Sequence, residues 1–208
     1  MPFAPRSILF TAFVALPALV ACTNGGSGAA PAPSASASFA TCESLDSLPA
    51  GKTVVNGPPP TNSYQPPLMD IAAHPFAWTS GTTTSSGQAT TETGGRAGGS
   101  GTEIHVNNIL LSVSIGFGQV MHAARIRFGE YGGNVNLSVN GVTRNVADLA
   151  PLNSTVVGGV TVTVPTGGFG NDKGVLELDG TMPDQPSGLG QFAIGGQELW
   201  IDGICFDR

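Results

Sequence analysis

The chain has 208 residues, with 14 acidic side chains against 8 basic ones for a net charge of −6, and only 11% of it is charged. No basic cluster interrupts that acidity, which excludes nucleic acid as a partner, because phosphate binding rests on grouped Lys and Arg. Thirty glycines and 16 prolines, with no 3.6-residue periodicity beyond residue 40, exclude a helical bundle and point to a turn-rich β protein.

The first segment reads as a secretory leader over residues 1–21. Arg6 is its only charge, and a largely apolar stretch from Ile8 to Ala21 is interrupted by Pro17. Fourteen residues fall short of the ~20 a membrane-spanning helix needs. The stretch ends on Leu19-Val20-Ala21-Cys22. That run resembles the lipobox of bacterial lipoproteins, and the resemblance implies that the Cys22 thiol carries a diacylglyceryl group and becomes the mature N-terminus. Several acyl chains would hold such a protein firmly on a membrane, outside the cytoplasm. Thr23 and Asn24 follow, with no Asp directly after the cysteine, a pattern closer to outer-membrane than inner-membrane sorting. Residues 22–40 are almost wholly Gly, Ala, Ser, Pro, Thr and Asn. Such a composition buries too little apolar surface to fold and reads as a flexible tether.

Residues 41–208 are then one domain, long enough for a core. With Cys22 assigned to lipid, Cys42 and Cys205 remain at its two ends. In an oxidising compartment a disulfide between them is the natural reading, against two unrelated free thiols. A bridge would make the first and last strands neighbours, because bridged Cα atoms lie within about 7 Å.

Thr79–Thr102 is mostly Gly, Thr and Ser, and reads as a long exposed loop or a weakly paired edge hairpin. After it, period-two alternation dominates. Leu111, Val113, Ile115 and Phe117 form one such series, and Val120, Ala124, Ile126 and Phe128 the next, with Arg125 and Arg127 opposite. Val135, Leu137 and Val139 alternate with Asn134, Asn136, Ser138 and Asn140, which are expected on the solvent face. Asn140-Gly141 is the pair suited to a type I′ hairpin, with Val142 to Val146 returning. Val160, Val162 and Val164 continue the pattern, then Leu176 and Leu178, with Gly167–Gly174 as a hairpin loop rather than a phosphate cradle. The last strand is expected to place Leu199, Ile201 and Cys205 on one face, and Trp200, Asp202, Ile204 and Phe206 on the other. Many short strands between Gly, Pro and Asn turns predict an all-β, antiparallel sandwich, jelly-roll-like, with adjacent terminal strands.

Several runs carry a resemblance. They are Phe128-Gly129-Glu130-Tyr131-Gly132-Gly133-Asn134-Val135-Asn136-Leu137, the closing Phe192–Asp202 stretch, Leu45–Gly51, His74–Trp78 and Gly98–Ile104. Together they resemble a group of exported bacterial β-sandwich proteins, similar in outline to galactose-binding-like jelly rolls, the shape of many carbohydrate-binding modules. The resemblance implies a non-catalytic binding module, with glycan as the ligand class. Tyr131 and Trp200 would stack on a sugar ring, and Asn134, Asn136, Arg125 and Arg127 would donate hydrogen bonds. The bland account is that the core claims the aromatics and turn geometry the asparagines. Modules of this outline often hold a structural calcium between first and last strands, and Glu43, Glu198 and Asp202 are the acids the disulfide would gather there. Edge carboxylates facing water or Lys are the other account.

No catalytic apparatus emerges. His74, His105 and His122 lie in different segments without zinc-like spacing, and His122 falls on the apolar face of its strand. Gly98-Gly99-Ser100-Gly101-Thr102 lacks the second glycine of a nucleophile elbow, and nothing sets Glu130 and Glu177 across one sugar. The alternative to a glycan module is a structural or assembly lipoprotein that contacts other envelope proteins through a sheet edge or the Thr79–Thr102 segment.

Overall fold

The structure, a computed structural model, describes residues 39–56, 69–115, 121–180 and 188–207. The expected leader, the Cys22 lipidation site, most of the tether, and Gly116, Phe117 and Val120 lie outside the described residues. Strands follow in chain order as β1 (Thr41–Glu43), β2 (Thr53–Asn56), β3 (Met69–His74), β4 (Phe76–Ala77), β5 (Thr83–Thr84), β6 (Gln88–Thr93), β7 (Thr102–Asn107) and β8 (Ile109–Ile115). The second half supplies β9 (Ala123–Glu130), β10 (Val135–Val139), β11 (Val142–Val146), β12 (Thr155–Val157), β13 (Val160–Thr166), β14 (Asp172–Asp179), β15 (Phe192–Gly196) and β16 (Leu199–Asp207).

These strands build the expected antiparallel sandwich. Sheet A runs β12-β13-β14-β9-β16-β7-β6-β2, and sheet B runs β11-β10-β15-β8-β3. The small β4–β5 hairpin stands apart. Alternation sends one side of each strand inward. Ile104, Ile126, Phe128, Val162 and Leu176 from sheet A meet Ile71, Leu111, Val113, Leu137 and Ile194 from sheet B in one core. Full burial of such a side chain stabilises by about 1.5–3 kcal/mol relative to exposure.

Strand β16 organises sheet A. One of its edges pairs with β9, while the other is shared by β7 along Leu199–Ile201 and by β1 along Ile204–Phe206. Cys42 and Cys205 sit directly opposite each other in that second pairing and form a disulfide, with Cα atoms 3.9 Å apart. The terminal strands are therefore neighbours, as the two cysteines imply.

Three local expectations are corrected. The register of β16 against β9 shifts between Asp202 and Cys205, where Gly203 takes φ 53°. That bulge puts one extra residue in the strand, so Ile204 and Phe206 join Leu199 and Ile201 in the core while Cys205 turns away. The Thr79–Thr102 segment is neither a bare loop nor a weak edge. Its strand β6 pairs with β2 on one side and β7 on the other, and buries Ala89 and Thr91. His122 is exposed just ahead of β9, not on its apolar face. The Asn140-Gly141 hairpin forms as its sequence dictates, with φ of 48° and 81° and Val139 opposite Val142.

Candidate functional site

The outer face of sheet A carries most of the residues singled out by sequence. Trp200 lies opposite both His105 and Gly129 in the ladder. Its indole points away from the core yet is only 3% exposed. His105 stacks flat on it, ring centres 4.0 Å apart at 6°, and Tyr131 meets it edge-on at 5.2 Å. The Arg96 guanidinium sits 4.5 Å from the indole centre, a cation–π contact. Trp200 Nε1 donates to Glu92 Oε2 at 3.1 Å, and Glu92 Oε1 is 2.9 Å from His105 Nδ1. Burial pushes the Glu92 carboxyl up, but the Trp200 and His105 hydrogen bonds and the His105 and Arg96 charges bring it below its usual value. Tyr131 donates its hydroxyl proton to Arg96 O at 3.2 Å. Trp200 is thus packed into a network, with Tyr131 half-buried at its edge.

What covers them is the segment 94–101. Buried Glu103 anchors it, its two carboxylate oxygens accepting the Arg96 and Ala97 amides at 3.0 and 2.8 Å. Arg127 Nη1 donates to Gly98 O at 3.3 Å. Asp46 Oδ1 accepts the Thr102 amide at 2.9 Å where the segment re-enters β7. Glycine is required for this close seating: a Cβ on residue 99 would overlap the Asp202 carboxylate, and one on residue 101 the Asp46 carboxylate. Asp202 is 4% exposed and accepts the Gly203 amide at 2.6 Å. Burial, with Asp46 and Glu103 nearby, raises its carboxyl to about 6 despite that bond and the Arg127 charge. A cleft of about 390 Å³ opens here between Asp46, Asp202, Arg127 and Ser100.

Of the three acids expected around calcium, Glu43 and Asp202 are buried and Glu198 is exposed. Glu43 accepts the Leu45 amide at 3.3 Å, and Glu198 is exposed in the turn before β16. The acids near Asp202 are Asp46 and Glu103 instead. Among the described residues no group of three or more His, Cys, Asp or Glu side chains is arranged to hold a metal. Arg125 lies away from Trp200, with its guanidinium 4.7 Å from the ring centre of Phe39.

Asn134 and Asn136 are also corrected, from solvent-facing to 3% and 0% exposed. They sit on the outer side of sheet B, but the β4–β5 hairpin covers them. Ala77 O accepts amide protons from Asn134, Asn136 and Asn145 at 3.0, 2.8 and 2.8 Å. In return, the Ala77 amide donates to Asn136 Oδ1 at 2.8 Å and the Thr79 amide to Asn134 Oδ1 at 2.6 Å. These side chains hold the hairpin and have little capacity left for a ligand.

Beside the hairpin, the same outer face stays open as a groove of about 280 Å³. His74, Ser138, Thr143 and Gln191 supply its polar lining, and Leu110 and Ala193 its apolar lining, while Phe192 turns its side chain into the core. Thr143 donates to Ser138 at 3.0 Å. His74 Nε2 is 2.9 Å from Ser112 Oγ, whose own proton goes to Ala72 O at 3.3 Å. Ser112 Oγ thus stands within hydrogen-bond reach of both the His74 ring and the Ala72 carbonyl. Sequence alternation reached Ser138 but had no signal for the hairpin that closes one half of this face and leaves the other.

Another buried carboxyl lies at the end of β9. Glu130 is fully buried, with Oε2 accepting the Leu149 amide at 3.2 Å. Burial raises it to about 8, reinforced by the charge of Asp148 and a hydrogen bond with it.

No protein-family model matches this chain, and no curated protein or solved structure matches it.

Proposed function

We propose that this chain is a membrane-tethered, extracytoplasmic lipoprotein whose jelly-roll-like sandwich is a non-catalytic binding module for glycan, with the ligand in the groove on the outer face of sheet B. The chemistry of that groove carries the reading. Hydroxyl, carboxamide and imidazole groups stand beside apolar Leu110 and Ala193, and among the described residues no Asp, Glu, Lys or Arg lines it. A neutral polyhydroxyl ring, with polar edges and apolar faces, is the complement of such a lining. The Cys42–Cys205 disulfide supports an oxidising compartment, and the Cys22 lipobox supports the tether and an outer-membrane address.

A glycan array with the purified domain, followed by titration of the best ligand, tests the site. The Ser138→Ala/Thr143→Ala double variant is expected to weaken binding about tenfold or more, from two lost hydrogen bonds. No binding across broad glycan classes, with envelope proteins co-purifying, would replace this reading with the assembly lipoprotein. That second reading has one observation behind it: Val156 on the edge strand β12 is 56% exposed, and Phe169 in the β13–β14 loop 80%. Palmitate labelling that disappears in Cys22→Ala tests the tether independently.

A further inference from the structure

We propose a binding site for a single oxyanion group, a carboxylate, sulfate or phosphate, between Arg127 of β9 and Lys173 of β14 on the outer face of sheet A. Arg127 pairs with Val175, and Lys173 with Gly129, so the two cations are diagonal neighbours on one face. Diagonal positions lie about 7–8 Å apart, and like charges so placed repel unless something neutralises them. Among the described residues neither is ion-paired, although acidic side chains outnumber basic ones in this chain.

The guanidinium is pre-organised by backbone and not by a carboxylate. Its stem runs along Gly203, where a Cβ would lie 3.2 Å from the Arg127 side chain, and Nη1 donates to Gly98 O at 3.3 Å. The rest of its planar fork remains for a ligand, the geometry that suits carboxylate, sulfate and phosphate oxygens. The Lys173 stem runs past Gly98, close enough that a Cβ on residue 98 would lie 3.7 Å from it, so both cations border the same short stretch of backbone. Between them lies a cleft of about 180 Å³, with Thr166 and Gly174 on its wall and, among the described residues, no acid in its lining. That volume is below the usual range for a whole small-molecule ligand and fits one charged group of a larger one.

The acids lie on the far side of Arg127, where Asp46 and Asp202 line the neighbouring cleft. They fix the side of approach. They also disfavour a polyanion, since further negative charges would fall within a Debye length, about 8 Å, of those carboxylates. The site is on the opposite sheet from the groove beneath His74, so it stands or falls apart from the glycan reading.

The test is an NMR titration of the labelled domain with inorganic phosphate and, separately, with glucuronate, at constant ionic strength set by chloride. Saturable amide shifts are expected at Gly98, Lys173, Gly174 and Val175. Arg127→Gln and Lys173→Gln, both at exposed positions and checked for fold by the same spectra, should each weaken binding about tenfold, the size of one charged hydrogen bond. Asp202→Asn keeps an acceptor for the Gly203 amide and should tighten binding. Saturation by glucuronate alone assigns a sugar carboxylate, and by phosphate alone a phosphate. Sedimentation with phosphatidylglycerol vesicles against phosphatidylcholine vesicles then tells a lipid headgroup from a free phosphate. Shifts that never saturate, or that saturate equally in both Gln variants, overturn the site.

Discussion

The Asp202 carboxylate occupies the space that a side chain on residue 99 would need, so that Gly99 and Asp202 fit together only because one of them is glycine. This contact seats the 94–101 segment over Trp200. Gly99→Ala is expected to destabilise the domain by about 1–3 kcal/mol, the usual cost of overpacking. Asp202→Ala removes the acceptor for the Gly203 amide and should cost about 1 kcal/mol by itself. The double variant should lose less than the two together, because the second change vacates the space the first one needs. Urea unfolding of the four proteins checks this, and strict additivity would contradict the contact.

Stability should fall as pH rises across two overlapping windows. The folded protein holds a proton on Glu130 up to about pH 8, while the unfolded chain releases it near 4.5. Between those values the folded state binds more protons, so its contribution is full below about 4.5 and gone above about 8. Asp202 adds a slope of the same sign between 3.8 and about 6. Glu130→Gln retains an acceptor for the Leu149 amide and should flatten the window from 6 to 8 while leaving the lower one. Melting temperature against pH for both proteins measures it.

The disulfide closes a sequence separation of 163 residues. In the chain-entropy treatment a loop that long is worth about 5 kcal/mol, and removing a native bridge commonly costs about 2–5. Cys42→Ser/Cys205→Ser should unfold at clearly lower denaturant. The m-value should rise as well, because the uncrosslinked unfolded chain exposes more surface.

The asparagine contacts beneath the hairpin give a local prediction. Asn136→Ala removes both a donor to Ala77 O and the acceptor of the Ala77 amide. Hydrogen exchange at Ala77 and Thr79 should accelerate by about tenfold or more, from the loss of one or two hydrogen bonds. Exchange at Leu111 and Ile194 in the core of sheet B should change little.

Where the sequence was informative, local chemistry was sufficient. Asn140-Gly141 accommodates two positive φ values at low cost, and two remaining cysteines can pair in only one way. Where it was not, a distant segment changed the meaning of a position. Asn136 has the alternation of a solvent-facing residue, but a hairpin nearly sixty residues earlier in the chain covers it. Gly203 inserts a bulge that turns Cys205 outward and Ile204 inward, which period-two counting cannot register. Trp200 is hidden by Arg96, His105 and the glycines between them, residues that look like a loose Gly-rich stretch until Glu103 is seen to anchor it. Closely spaced glycines beside one acidic residue were the available signal.

The opposed cysteines also decide where mechanical load would travel. A pull on the chain ahead of Thr41 reaches Cys42 after one strand residue, and the covalent bridge hands it to Cys205. Strand β1 therefore cannot be peeled from its edge one hydrogen bond at a time. The load enters β16 at Cys205, in a strand held by β9 on one side and by β7 and β1 on the other.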